Sequence, residues 1–225
     1  MRTREHFDNE LRDLEDEILR LGTSVRHLFQ ESLEALETAN ASLCDDVITG
    51  DDDVDAAHLK IEGDVLQLLA LESPVASDLR LVATVLHINL HLERVADLAT
   101  NIARISKLTA VLPRNAEILG HLEDMGAIAL HLLYAAMQSF ANRDLALAGQ
   151  LASIDQSIDR LDHGMLAEVL RAGKDGCSLE WAIEMHLVSR MIERVGDHAV
   201  DIGEHVAYLV SGLLDGRHSL RRTEA

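Results

Sequence analysis

The pentapeptide Glu93-Arg94-Val95-Ala96-Asp97 returns one hundred residues later as Glu193-Arg194-Val195-Gly196-Asp197. Each copy follows a second acidic pair, Asp51 and Asp55 before the first and Asp155 and Asp159 before the second. Acidic residues four apart share one face of an α-helix, so every pair stacks two carboxylates on successive turns. A chain that carries this face twice is constrained to fold as two copies of one helical unit.

The flanking positions agree. Ahead of the motif the copies register at an offset of 104, placing Leu36, Asn40, Leu43, Val54 and Asp55 on Phe140, Asp144, Leu147, Ile158 and Asp159. Through the motif the offset is 100, placing Leu79, Ile88, Leu92, Ala99 and Ile102 on Leu179, Val188, Ile192, Ala199 and Ile202. The change of four falls in the loop before the third helix of each unit, where insertions cost little.

Apolar residues recur at helical spacing, as in Leu11, Leu14, Ile18, Leu21, Val25 and Leu28, and no segment alternates like a strand. Breaks fall at Glu72-Ser73-Pro74, at Leu112-Pro113-Arg114-Asn115 and at Gly173-Lys174-Asp175-Gly176. The pattern predicts an all-α fold of six helices, roughly 5–40, 43–71, 74–110, 114–141, 144–172 and 177–213. Two tandem three-helix repeats then occupy roughly 1–112 and 113–214, with a disordered tail over 215–225. Gly50-Asp51-Asp52-Asp53 looks locally like a helix start, but its counterpart Ile154-Asp155-Gln156-Ser157 lies in an uninterrupted helical stretch, so the second helix is expected to run through Gly50.

Composition narrows the function classes. Thirty-nine acidic side chains against 20 basic ones give a net charge of −19, which repels nucleic-acid phosphates and anionic lipid heads. Cys44 and Cys177 are the only cysteines and form no metal or disulfide spacing. The N-terminus lacks the apolar core of a signal peptide, and a cytoplasmic location is expected. Met125 to Asn142 is uncharged for 18 residues, but His131, Gln138, Ser139 and Asn142 interrupt it, so a core helix is expected over a membrane span.

Antiparallel pairing of the second and third helices of each unit would bring Asp51 and Asp55 to Glu93, Asp97 and Asn101, and Asp155 and Asp159 to Glu193, Asp197 and Asp201. Like charges at this spacing cost roughly 0.2–0.5 kcal/mol per pair on a bare helix and more when desolvated. Arg94 and Arg194 are too few to neutralise the sets, so each set is expected to take cations, from metal ions or from a partner's surface. An all-oxygen donor set suits iron, magnesium, calcium or manganese, and zinc also takes carboxylates; iron or zinc is the leading expectation. The plain alternative is a solvated acidic face, which one motif alone would favour. Four matched pairs in two diverged repeats weigh against it.

Histidines are secondary in this reading. His186, seven residues before Glu193, is at best an optional ligand; His87 and His91 point away from the Glu93 face; His27 and His131, matched across the repeats, are expected in the core or an interface.

Pro74-Val75-Ala76-Ser77-Asp78-Leu79-Arg80, Leu92 through Ala103, and Ile192 through Glu204 resemble the PhoU family over residues 5–212. The resemblance implies two repeated three-helix bundles, usually dimeric, whose acidic motifs hold multinuclear metal clusters in some members. It also implies negative control of phosphate import and of the phosphate-starvation response, through a transporter ATPase subunit and a membrane sensor kinase. Asp201 departs from the asparagine expected there, which Asn101 keeps, and Glu180 stands where the first repeat has Arg80.

A carboxylate-bridged metalloenzyme is the main alternative. A ferritin-type oxidase calls for Glu-x-x-His on two helices, and no Glu here has His at its third following position. A phosphatase would need a nucleophile with its base, or a GxxxxGK phosphate cradle, and neither occurs. No catalytic residue is therefore expected. A purely structural helical adaptor would leave the duplicated carboxylates without a purpose.

Overall fold

A computed structural model of the chain describes residues 4–172 and 177–213. It contains six α-helices and, among the described residues, no strand. They are α1 (Arg4–Thr38), α2 (Ala41–Glu72), α3 (Ser77–Thr109), α4 (Ala116–Asn142), α5 (Leu145–Ala172) and α6 (Leu179–Ser211). The tail expected to be disordered from Asp215 onward lies outside the described residues.

Turn chemistry sets the boundaries. Ala39 and Arg143, matched across the repeats, adopt left-handed backbone at φ 50° and 54° and end α1 and α4. The next residue caps the next helix: Asn40 Oδ1 accepts from the Ser42 and Leu43 amides, and Asp144 Oδ1 accepts from the Leu147 amide. The third helix starts three residues later than expected, because Ser73 and Ala76, at φ 47° and 50°, turn the chain around Pro74. α2 does run through Gly50, where a Cβ would meet Leu28 Cδ1 at 3.1 Å, so the glycine makes room for the core.

Each run of three helices packs as its own bundle, α1, α2 and α3 together and α4, α5 and α6 together. The bundles join through α3 against α6 and α1 against α4. On the first seam Arg80 Nε donates to the Leu209 carbonyl, Thr84 Oγ1 donates to the His205 carbonyl, and His91 meets His198. The partner number falls as the first number rises, so the two helices run antiparallel.

On the second seam the repeat interlocks with itself. A Cβ on Gly22 would lie 2.7 Å from Met137 Cε, and one on Gly126 would lie 2.6 Å from Leu33 Cδ1. Gly22 matches Gly126 and Leu33 matches Met137 at the offset of 104, so one knob-and-notch contact is made twice. Ile18, Phe29, Ile88, Leu92, Leu132, Phe140, Trp181 and Ile192 are fully buried in the core that the six helices enclose. No helix among the described residues is long and apolar enough to cross a membrane, and the uncharged Met125–Asn142 stretch is the core-facing α4.

Candidate functional site

Helical periodicity puts Glu93 and Asp97 on the side of α3 that meets α2, and Glu193 and Asp197 on the side of α6 that meets α5. The Asn89 amide, one turn before Glu93, donates to the His58 carbonyl at 3.0 Å and fixes the α2–α3 register. In the second half Ser189 Oγ donates to Asp162 Oδ1 at 2.9 Å and fixes α5 against α6. Asn89 and Ser189 are matched positions, as are His58 and Asp162.

In the first half Asp51, Asp55, Glu93 and Asp97 form one electrostatic cluster. Burial, followed by the charges of Asp55 and Asp97, raises the Asp51 carboxyl above its ordinary 3.8. Burial and then Asp97 raise Glu93 above 4.5, although Arg94 and His58 pull the other way. Arg94 is the nearest counter-ion, 3.4 Å from Glu93 Oε2 and 3.3 Å from Asp97 Oδ2, with its side chain 53% exposed. The buried Glu93 Oε2 still takes no hydrogen bond. Asn101, expected as a further ligand, has its Oδ1 occupied by Arg104 Nη1 at 3.1 Å.

The second half repeats the set with added charges, Asp162 where the first half has His58 and Arg190 where it has Leu90. Burial and Asp197 raise Glu193, Asp162 and Asp159 add to the effect, and Arg190 opposes it. Glu193 Oε2 is buried and takes no hydrogen bond, like its equivalent in the first half. Asp155 is 2% exposed. Asp162, which sequence reasoning missed, is 5% exposed and accepts 2.7 Å from Arg190 Nη1. Its spacing seven after Asp155 was the available signal, hidden because the first repeat has His58 there.

Asp201 does not join the α5 carboxylates as expected: its Oδ2 lies 3.8 Å from His91 Nδ1, across the α3–α6 seam. Eight residues of helix turn it about 80° from Glu193, and that rotation carries it toward α3. His27 and His131 are exposed, which removes the core placement expected as one option for them, and His27 pairs with Glu31 at 3.2 Å. His186 is half-buried, with an Nδ1 that takes no hydrogen bond. A groove of about 480 Å³ between α1 and α2 is lined by Arg20, Lys60, Glu17 and Asp53, and none of the paired motif residues enters it.

Both clusters fit metal ions on their own chemistry. Each sets four carboxylates within electrostatic reach of one another, with too few cations to balance them and a buried glutamate oxygen that takes no hydrogen bond, the first of these 3.4 Å from Arg94 Nε. An uncompensated buried carboxylate is costly unless protonated or met by a cation.

Comparison with known proteins matches the PhoU domain twice, over residues 7–106 and 122–206. A Thermotoga maritima protein named phosphate-specific transport system accessory protein PhoU homolog 1 is 32% identical over 208 residues, covering 92% of this chain and 90% of that protein. The Escherichia coli phosphate-specific transport system accessory protein PhoU is 27% identical over 213 residues, covering 94% of this chain and 88% of that one. The crystal structure of PhoU from Pseudomonas aeruginosa superposes with a TM-score of 0.85 at 29% identity, covering 92% of this chain and 100% of that one. The Streptococcus pneumoniae phosphate transport system regulatory protein PhoU gives 0.85 and 29%, covering 92% and 98%.

Proposed function

We propose a function from an established premise: this chain belongs to the PhoU family. It acts as a negative regulator of phosphate import and of the phosphate-starvation response, a cytoplasmic metal-binding adaptor that docks as a homodimer on a transporter ATPase subunit and a membrane sensor kinase. It turns nothing over. Family membership over nearly the whole chain supports the regulatory role, and the net charge of −19 suits salt-sensitive docking on a basic partner face.

The metal reading rests on one observation, the matched and buried Glu93 Oε2 and Glu193 Oε2 that take no hydrogen bond. Asp51, Asp55, Glu93 and Asp97 would hold ions in the first half, and Asp155, Asp159, Glu193 and Asp197 in the second. Bound iron or zinc, or magnesium or manganese, would supply the positive charge these oxygens lack.

Elemental analysis of protein purified without chelator should find metal in stoichiometric amount, and the melting temperature should fall on chelation, since a ligand held only by the fold adds RT ln(1 + [L]/Kd). Deleting the gene should raise phosphate uptake and leave the starvation response on in rich medium. An unchanged phosphate response in the deletion strain ends the regulatory reading. Phosphate release from model esters that is lost in Asp97→Asn would replace the adaptor by a metalloenzyme.

A further inference from the structure

Away from the carboxylate grooves, three ligand-bearing side chains converge on the α3–α6 seam. His91 Nδ1 stands 3.1 Å from His198 Nδ1 and 3.8 Å from Asp201 Oδ2, and one ligand atom from each of the three lies within 4.8 Å of the others. His205 closes one side, its ring 5.5 Å from that of His91 and stacked on His87 at 4.1 Å. All three ligand residues are half-buried, so water and ions reach them while their rings stay packed.

We propose that His91, His198 and Asp201 form a mononuclear site for a transition-metal ion of the zinc class, clamping α3 to α6 and separate from the two carboxylate clusters. The spacing fits. Donors about 2.0–2.1 Å from one zinc stand roughly 3.3 Å apart at the tetrahedral angle, so the two nitrogens need almost no movement and Asp201 Oδ2 closes about half an ångström on His91. Two imidazoles with one carboxylate favour zinc, cobalt, nickel or copper over magnesium and calcium, which the all-oxygen clusters suit better. Three protein ligands leave a fourth position for water or for His205.

The fixed positive charges that reach His198 are Arg194 and Arg94. Those arginines oppose a cation, but Asp201 adds a negative charge at the site and Arg94 is engaged by Glu93 and Asp97. The repeat provides an internal control. At the offset of 100 the equivalent positions are Met191, Leu98 and Asn101, which lack imidazole and carboxylate, so this site occurs once and is no by-product of the duplicated motif.

The test is a Co2+ titration of the metal-stripped, full-length chain followed by visible absorption. One equivalent should produce the intense bands of four-coordinate, nitrogen-ligated cobalt, against the weak bands of six-coordinate oxygen sites. His91→Gln and His198→Gln should each abolish the bands and weaken that equivalent by more than the roughly 10–100-fold that outer-shell partners are worth. Asp201→Asn, which keeps the volume, should weaken it at least about tenfold. Asp55→Asn combined with Asp159→Asn should leave bands and affinity intact. Bands that survive in the histidine variants, or wild-type affinity in Asp201→Asn, overturn the proposal. Bands that vanish with the Asp55 and Asp159 substitutions assign the cobalt to the carboxylate clusters and overturn it too.

Discussion

Asp155 lies against the α6 backbone at Gly196, where a methyl group would sit 2.3 Å from its Oδ1 and 3.0 Å from Ile158 Cδ1. The matched residue of the first half is Ala96, and there the counterpart Asp51 is half-exposed rather than buried. One missing methyl thus makes the second cluster deeper than the first. Gly196→Ala should push Asp155 outward and lower metal affinity at the second cluster alone. Its effect on the chelated fold should stay within about 1 kcal/mol, because the helix-propensity gain of about that size offsets the displacement. Site-resolved metal titration and urea unfolding in chelator check both halves of this expectation.

Asp97→Asn and Asp197→Asn keep shape while removing charge. Metal affinity should fall, and the chelated fold should be equally stable or gain roughly 0.2–0.5 kcal/mol per relieved pair. A loss above about 2 kcal/mol in chelator would make these carboxylates structural partners of Arg94 and Arg194, and the metal reading would fail.

Glu93 and Glu193 are raised in the fold, so in chelator the folded chain holds protons that the unfolded chain has released above its ordinary 4.5. Stability from these groups falls as pH rises through that window. Glu93→Gln with Glu193→Gln should therefore exceed the wild type in stability near pH 7 and lose the advantage as pH approaches 4.5. An advantage that is constant with pH would rule out the charge as its source.

His198 runs the opposite way. Neutral in the fold down to about 4 while the unfolded chain protonates near 6.5, it takes stability away as pH falls across that interval. Relative to His198→Gln, the chelated wild type should weaken progressively over this range, and the His198 ring resonances should show no titration at pH 5.5 or above.

Arg190→Ala should destabilise the fold by about 1–2 kcal/mol, since it strips the charged partner from the buried Asp162 and leaves only Ser189. The half-exposed position of Arg190 keeps the figure below that of a fully buried pair. Arg160→Ala, whose donors reach only Gln156 and Ser157 of its own helix, should cost less than half as much in the same urea titration.

The six helices and both Glu-x-x-x-Asp faces are legible in the sequence because a period of 3.6 is a property of one helix, readable from spacing alone. The duplicated Asp pairs also point to the correct neighbours, since a short turn leaves α2 and α3 little choice but to pair. What lies between the halves is not legible. Nothing in the spacing of His87, His91, His198 and His205 reveals that α3 and α6 cross in the one antiparallel register that sets His91 on His198, because that register follows from volumes along both seams. The burial of Asp155 is hidden for the same reason, resting on a glycine forty-one residues away.

The two seams are built from different materials. At the back, Gly22 receives Met137 and Gly126 receives Leu33, contacts too close for α1 and α4 to slide without climbing over a side chain. At the front, α3 and α6 are tied by an arginine, a threonine and histidines whose bonds can be exchanged for water. The exchangeable polar bonds that join the halves therefore lie on the same two helices that carry both carboxylate motifs.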